Sequence, residues 1–220
     1  MNSINKFPHV FKDQKGRWTN YFVRGSKPYF GERVLKTRDG KFRQVDPERS
    51  KLFAAIAKGI SQIGFKEDST VLYLGASHGY TVSFLLDMLK KGEIYALDFA
   101  PRTTRDLIFI AQERINVAPI MADANQPDIY RELVPQVDVV FMDIAQKNQL
   151  EIFVKNCDMF LDAGGFGLLA LKARSVDVTK KPKDIFKEVR KELERKYSVV
   201  DYRELDPYEK DHAMFVIKKR

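Results

Sequence analysis

The stretch Val71-Leu72-Tyr73-Leu74-Gly75-Ala76-Ser77-His78-Gly79-Tyr80-Thr81 decides the fold, because a short apolar strand runs into a turn of small residues that opens a helix. About twenty residues on, Glu93-Ile94-Tyr95-Ala96-Leu97-Asp98 supplies a second apolar strand ending in a carboxylate, the place where doubly wound α/β folds grip ribose hydroxyls. Gly75 and Gly79 form G-x-x-x-G and not G-x-G-x-x-G, so the middle glycine that admits a pyrophosphate is missing. A ligand with an adenosine and no diphosphate, such as S-adenosylmethionine, needs the tight turn and the ribose carboxylate but not that close backbone approach. Glycines at such a turn also serve helix-on-strand packing, so the turn alone leaves ligand binding open.

Working outward, strands are expected at 70–75, 93–98, 117–121, 137–143 and 164–171, alternating with helices near 79–91, 101–115, 126–133, 148–158 and 182–195. Pro101 and Pro182 stand at helix starts. This alternation predicts a mostly parallel sheet covered on both faces, with ligands at the carboxyl ends of its strands. Two further strands, 197–204 and 213–217, can pair as a terminal hairpin. The expected class is therefore α/β, a Rossmann-like seven-stranded sheet of the S-adenosylmethionine-dependent methyltransferase kind rather than the dehydrogenase kind.

Before it, residues 1–46 predict a small antiparallel β module. Trp18, Tyr21, Phe22, Val23, Tyr29, Phe30, Val34, Leu35, Phe42 and Val45 come in clusters separated by Gly16, Gly25, Pro28, Gly31 and Asp39-Gly40. Asp39-Gly40 predicts a two-residue hairpin turn with positive φ at both positions. Asp46 and Pro47 then read as N-cap and first residue of a helix through Lys58, ending near Gly59 or Gly64. The expected division is 1–46 for this module and 47–220 for the methyltransferase domain.

A chain of 220 residues can bury a sizeable core without staples. No run reaches the roughly 18–20 apolar residues of a membrane span, and the start carries no secretory apolar segment, so no membrane partner and a cytoplasmic location are expected. The single cysteine, Cys157, excludes an internal disulfide and a cysteine-based metal cluster; no metal is expected. The formal net charge of +8 favours a polyanionic partner. The excess lies near the start, where Lys and Arg are interleaved with Phe, Tyr and Trp. Those aromatics can face RNA or form the core of the small sheet, and a mixture is expected.

Three carboxylates follow successive strands: Asp98, Asp123 and Asp143. One strand-end aspartate is an ordinary cap or turn residue. Three suit a sulfonium ligand, with one on the ribose diol, one on the adenine amino group and one near the positive sulfur or the methyl acceptor. Lys172 follows the apolar run Leu168-Leu169-Ala170-Leu171, an unusual place for a lysine. His212 precedes the last strand; alone, it is as well explained as a loop histidine held by local hydrogen bonds. Together these groups suit activation of a poor alcohol nucleophile such as a ribose 2′-hydroxyl.

Leu74-Gly75-Ala76-Ser77 with Gly79, Asp98-Phe99-Ala100-Pro101-Arg102, Asp143-Ile144-Ala145-Gln146 with Asn148-Gln149, Lys172-Ala173-Arg174-Ser175-Val176-Asp177, and Asp206-Pro207-Tyr208 with Asp211-His212-Ala213 resemble fibrillarin in its shorter archaeal form. The resemblance starts near Asp46 and runs to the end. It implies a guide-directed RNA 2′-O-methyltransferase that uses S-adenosylmethionine within a box C/D ribonucleoprotein, on pre-rRNA and tRNA. Implied partners are box C/D guide RNA and its target RNA, a Nop-type coiled-coil scaffold protein and a kink-turn-binding ribosomal-type protein. The family's Lys-Asp-Lys-His set matches Lys51, Asp143, Lys172 and His212. On that comparison Lys172 stabilises the developing 2′-alkoxide, Asp143 orients Lys172 and sits near the methyl, and Lys51 and His212 position the ribose and adjoining phosphate. The implied cofactor pocket uses Gly75, Ala76, Tyr80, Thr81, Asp98, Phe99, Asp123, Ala124, Asp143, Ala145 and Gln146.

Three positions depart from the family pattern. Tyr80 replaces a threonine, Asp98 mostly a glutamate, and His78 a small residue, which predicts weakened or altered cofactor affinity with the site retained. Two competing readings follow: a non-catalytic RNA-assembly subunit whose pocket Tyr80 and His78 have closed, and a nicotinamide-dependent oxidoreductase. The second should show G-x-G-x-x-G and a Tyr-Lys or His proton relay, which the sequence lacks.

Overall fold

The computed structural model describes every residue except 5, 16 and 17, with the backbone alone described at Lys15 and Trp18. The expected turn at Gly16 and the Trp18 side chain therefore lie outside the described residues. The N-terminal strands are β1 (Asn2–Ser3), β2 (Val10–Lys15), β3 (Trp18–Arg24), β4 (Val34–Thr37) and β5 (Gly40–Val45), an antiparallel sheet in the order β1-β2-β3-β5-β4. The hairpin after β4 forms one residue earlier than expected. Thr37 pairs with Gly40, which leaves Arg38 and Asp39 as the turn, and the positive φ falls on Gly40 alone, at 132°.

The remainder alternates as expected: α1 (Lys51–Ala57), β6 (Thr70–Leu74), α2 (Tyr80–Met88), β7 (Glu93–Asp98), α3 (Pro101–Ala111), β8 (Val117–Met121), β9 (Val137–Met142), α4 (Gln149–Phe160), β10 (Leu161–Lys172), α5 (Ala173–Val176), α6 (Pro182–Lys196), β11 (Ser198–Glu204) and β12 (His212–Lys218). The seven strands lie in the order β11-β12-β10-β9-β6-β7-β8. Contacts among β10, β9, β6, β7 and β8 are parallel, whereas β12 is antiparallel to both β10 and β11. Because β7 continues to one side of β6 and β9 lies on the other, the chain reverses direction between β6 and β9. This is where an open α/β sheet makes its ligand crevice.

Three local expectations are corrected. Pro47–Arg49 is only a 3-10 turn capped by Asp46; Ser50, extended at φ −151°, breaks it and caps α1, so the helix starts at Lys51. Only Pro127–Tyr130 is helical in the segment 126–133, again as a 3-10 turn. Its buried Tyr130 stacks on Phe160 and hydrogen-bonds Asn156, which anchors the turn without a regular helix. The one-turn α5 had no counterpart in the expected pattern.

Alternation along the sheet strands fills two cores. Val71 and Tyr73 of β6 face one side, with Leu52, Phe53, Val82, Phe84 and Leu107; Leu72 and Leu74 face the other, with Ile152, Phe153, Ile185 and Leu193. The N-terminal module joins the first core through Phe7, Val10, Tyr21, Val23 and Val45. Its aromatics are thus largely packed inward, while Tyr29 and Phe30 are only partly buried. A buried ion cluster adds to this junction: Arg43 of β5 donates to Glu32 at 2.6 Å, to Asp87 of α2 at 2.8 Å and to the Ser83 carbonyl at 2.8 Å. No helix among the described residues is long and apolar enough to cross a membrane.

Candidate active site

The turn after β6 is built by backbone geometry. Gly75 and Ala76 donate their N–H groups to the Leu97 carbonyl at 2.9 and 3.0 Å, and Asp143 donates its N–H to the Leu74 carbonyl at 2.9 Å, so three strand ends are tied at one point. A Cβ at Gly75 would lie 2.5 Å from the Asp143 carbonyl oxygen, and its φ is +80°. Only glycine fits this approach. Gly79, at φ +86°, caps α2 in a left-handed conformation.

Above this point opens a cleft of about 460 Å³, lined by Gly75, Ser77, Leu97, Asp98, Phe99, Ala122, Asp123, Ala124, Asp143, Ile144, Ala145 and Gln146. Eight of the expected pocket residues are therefore brought together: Gly75, Asp98, Phe99, Asp123, Ala124, Asp143, Ala145 and Gln146. Asp98 Oδ2 accepts the Ser77 N–H at 2.8 Å, and Oδ1 accepts the Ala100 N–H at 3.1 Å and the Thr103 hydroxyl at 2.6 Å. The carboxylate is held still while keeping acceptor capacity. Asp123 Oδ1 accepts the N–H and the carboxamide of Asn125, both at 2.9 Å. The Asn125 backbone and side-chain bonds hold the Asp123 carboxyl below its usual range. Asn125 also donates to Gln146 Oε1 at 3.0 Å, closing one rim of the cleft. Phe99 stands at that cleft 71% exposed, an unpartnered apolar face.

Ala76, Tyr80 and Thr81 are not among the residues lining this cleft; they stand at the turn and at the start of α2 next to it. Ala76 is buried beneath the turn. Tyr80 swings toward the N-terminal module: its hydroxyl accepts the Asp46 N–H at 3.1 Å, and its ring packs edge-on against Phe30 and Phe84. Thr81 is buried with its hydroxyl 2.9 Å from that of Ser50. His78 pairs with Asp106 at 2.6 Å. Neither Tyr80 nor His78 closes the pocket.

Beside the cleft lie the four residues of the expected set. Lys51, first residue of α1, places its Nζ 3.3 Å from Asp143 and 3.8 Å from Glu209. Asp143 is thus ion-paired with Lys51, while Lys172 acts on it through its charge. Lys172 ends β10 opposite His212 in the β10–β12 register. Its backbone N–H and carbonyl are both held by the Gln149 carboxamide, at 2.9 and 3.0 Å. His212, 9% exposed, donates Nδ1–H to the Lys210 carbonyl at 2.7 Å, which leaves the lone pair on Nε2.

The electrostatics are matched to proton transfer. Burial pushes the Asp143 carboxyl up to about 6, against the pull of Lys51 and Lys172 and with the push of Glu209. Burial disfavours the charged form of Lys51, yet Asp143 and Glu209 outweigh it and hold the ammonium above its ordinary value. Burial, then the Lys51 and Lys172 charges, depresses His212 despite the Lys210 carbonyl and Glu209, so this imidazole is neutral at pH 7. The arrangement offers a carboxylate tuned toward neutrality, two cations and a neutral imidazole at the edge of one cleft.

Four contributors were not singled out from sequence. Ser77 acts through its backbone N–H, which its side chain does not announce, and Asn125 sits two residues past Asp123. Gln149 stands in one of the motifs that carry the family resemblance and is a polar residue on the inward side of an amphipathic helix. Glu209 stands three residues before His212 within a charged run.

The comparisons agree with this geometry. A family model described as Fibrillarin matches residues 2–220. A curated relative, the fibrillarin-like rRNA/tRNA 2′-O-methyltransferase of Thermococcus onnurineus, is 46% identical over 221 residues, covering 98% of this chain and 97% of the relative. Among solved structures, Aeropyrum pernix fibrillarin in complex with natively bound S-adenosyl-L-methionine superposes with a TM-score of 0.88 at 35% identity, over 98% of this chain and 96% of that one. A fibrillarin/Nop5p complex matches with a TM-score of 0.88 at 35% identity, over 97% and 99%. A fold of this topology, a match along nearly the whole chain and identity at this level place the chain in the fibrillarin family.

Proposed function

We propose that this chain is an S-adenosylmethionine-dependent RNA ribose 2′-O-methyltransferase, the catalytic subunit of a box C/D guide-RNA ribonucleoprotein acting on rRNA and tRNA. The observation that carries the reading is that Asp143 lines the cleft and pairs with Lys51, which joins an adenosine-sized crevice to a proton-transfer cluster. The fit to the methyl donor rests on this chain's own groups. Asp98 suits a ribose diol, Asp123 an exocyclic amino group, and Phe99 the face of a purine, while Gly75 removes the Cβ that would crowd the turn. When bound, the donor supplies an electrophilic methyl on a positive sulfur.

The residues beside it handle the acceptor. The RNA 2′-hydroxyl is a weak nucleophile, and Asp143, raised to about 6, is a stronger base than an ordinary carboxylate. As the O–CH3 bond forms, the bond between that methyl and the donor sulfur would break and the neutral thioether S-adenosylhomocysteine would leave, while the hydroxyl proton would pass to the Asp143 carboxylate. Lys172 offsets the charge that develops on the 2′-oxygen, and Lys51 holds Asp143 in place. His212, neutral and fixed through Nδ1, presents an acceptor at Nε2 to a ribose or a phosphate-bound water.

Target choice is assigned to base pairing with a guide RNA, since no sequence-reading RNA module is recognisable in the chain. A Nop-type scaffold fits as its protein partner, given that a relative is solved in complex with Nop5p. A kink-turn-binding ribosomal-type protein completes the particle. The division at 46/47 belongs to the same reading, with the first module bracing the domain that binds donor and RNA.

Calorimetric titration of the full chain tests the cofactor half. S-adenosylmethionine binds and NADH does not; tight NADH binding, or no binding of S-adenosylmethionine at millimolar concentration, contradicts it. Methyl transfer by the particle reconstituted with guide RNA tests the other half, with Lys172→Ala expected to remove transfer at unchanged fold.

A further inference from the structure

The loop between β11 and β12 carries one carboxylate into the charged cluster, and its backbone is tied down along its length. The Leu205 carbonyl accepts the N–H groups of Tyr208 and Glu209 at 3.0 and 3.2 Å, and the Glu209 carbonyl accepts the His212 N–H at 3.4 Å. From outside the loop, the Lys58 ammonium at the end of α1 donates to the Asp206 carbonyl at 2.7 Å, and Ala173 donates its N–H to the Asp211 carbonyl at 3.0 Å. The acidic side chains of this loop then divide. Asp211 pairs with Arg174 at 3.2 Å, whereas Glu209, only 18% exposed, reaches the cluster. One Glu209 oxygen lies 3.8 Å from the Lys51 ammonium, and the other lies 3.8 Å from Nδ1 of His212. The same ammonium is 3.3 Å from Asp143, so one cation serves two carboxylates.

We infer that Glu209 is a positioning residue of the methyl-acceptor site, sharing the Lys51 ammonium with Asp143 and facing the Nδ1 edge of His212. The inference rests on the proposed methyltransferase reading for its kinetic consequence, while the arrangement itself is a property of the free chain. The effect is a division of charge. An ammonium favours the ionised form of a neighbouring carboxylate, so a Lys51 held by Asp143 alone would leave that group a poor proton acceptor. Glu209 draws the cation from another side and adds the repulsion of a like charge, which acts with burial to keep the proton affinity of Asp143 high. With Asp143 ionised and His212 neutral, Glu209 also balances the second cation, Lys172. At His212, a carboxylate beside Nδ1 reinforces the proton that the Lys210 carbonyl already accepts there, and so keeps the lone pair on Nε2.

The test uses the full chain with Glu209→Gln, which removes the charge at nearly constant size, and Glu209→Asp, which sets the charge one methylene back. The groups that face Asp143 are Lys51 from α1, Tyr73 from β6, Lys172 from β10 and Glu209 itself, while His212 senses Lys51, Lys172 and Glu209. In Glu209→Gln the 13C NMR titration of the Asp143 carboxyl in the free protein is expected to move down by roughly half a pH unit or more, because a repulsion is lost and Lys51 is no longer shared. The His212 imidazole should titrate lower as well, since Glu209 favours its charged form. In the reconstituted particle kcat should fall by on the order of tenfold, and the acid limb of its pH profile should follow Asp143 to lower pH. The KM for target RNA should stay within about twofold. Glu209→Asp moves the Asp143 titration by less and returns most of kcat. An Asp143 titration that is unmoved or raised in Glu209→Gln overturns the inference. Equal loss of kcat in both variants overturns it too, being the result for a residue that serves only the shape of the loop. If Glu209→Gln does not fold, Glu209→Asp decides: a lowered Asp143 titration supports the inference and an unmoved one overturns it. Absence of methyl transfer in the unaltered particle counts against the proposed function, while the NMR titration still decides the role of Glu209.

Discussion

In the proposed reaction Asp143 takes the proton, and its burial works against the fold. Its carboxyl takes up a proton near pH 6 in the native protein, against an ordinary value of 3.8. Between those values the native state binds more protons than the unfolded chain, so the stability linked to this group is complete below about pH 4 and lost as pH rises through about 6. Asp143→Asn, which mimics the protonated form, is therefore expected to raise unfolding free energy at pH 7.5 by on the order of 2 kcal/mol and to flatten its dependence between pH 4 and 7. Chemical denaturation across that range checks this. The same variant should lose at least about a hundredfold in methyl transfer. In the unaltered enzyme kcat should fall as pH drops below about 6, because the base is then occupied; a rate that is flat down to pH 5 argues against Asp143 as proton acceptor. The sequence made Asp143 a candidate through its place at a strand end, but its partner was not legible there. Lys51 is 92 positions away along the chain, and only the approach of α1 to the end of β9 decides that it, and not Lys172, touches the carboxylate.

At the scale of elements, the site depends on strand ends being held in register by groups that never touch a ligand. Gln149, the first residue of α4, is fully buried and satisfies both the N–H and the carbonyl of Lys172. Gln149→Leu keeps the volume but takes the partner from two partly buried backbone groups, at a cost of up to about 1–3 kcal/mol each. Thermal unfolding should register this loss, and transfer should fall with it because Lys172 loses its fixed backbone. The parallel strands were legible because β6, β7 and β9 are apolar runs that end at Gly75, Asp98 and Asp143, and β7 and β8 occupy the expected 93–98 and 117–121. Segment 126–133 was not. Its helical pattern is interrupted by what the tertiary structure demands of Tyr130, a ring stacked on Phe160 and a hydroxyl bonded to Asn156, and a 3-10 turn meets that demand with fewer residues. The Asp39-Gly40 hairpin shows the same limit, since the turn residues announced the reversal while cross-strand pairing chose which two residues occupy it.

Across the whole molecule, the N-terminal sheet is built into the same core as the catalytic domain, and Arg43 is the polar part of that union. Its guanidinium is fully buried between Glu32 and Asp87, over the Phe84 ring at 4.0 Å. Burial raises the Glu32 carboxyl, but the Arg43 charge together with hydrogen bonds from the Glu32 and Phe30 backbone and the Arg43 side chain holds the group below its ordinary value. Arg43→Met leaves the Glu32 carboxylate without its cation and Asp87 with Arg114 alone, at an expected cost of about 3–5 kcal/mol. Hydrogen exchange should show protection lost in β3 and β5 before β6 and β9; uniform loss across both sheets contradicts a separable junction. Sequence composition hinted at this module through its clustered aromatics but gave no means to see that an arginine among many would be the buried one. The surplus of positive charge remains mostly outside and suits an RNA partner.

The central claim is that this cleft and its charged cluster transfer a methyl to a ribose oxygen. The direct measurement follows label from methyl-tritiated S-adenosylmethionine in the reconstituted guide-RNA particle, comparing two target RNAs that differ only in a 2′-hydroxyl or a 2′-hydrogen at the guided nucleotide. Label is predicted in the first and absent from the second. Equal label in both, or none in either with donor bound, contradicts the account.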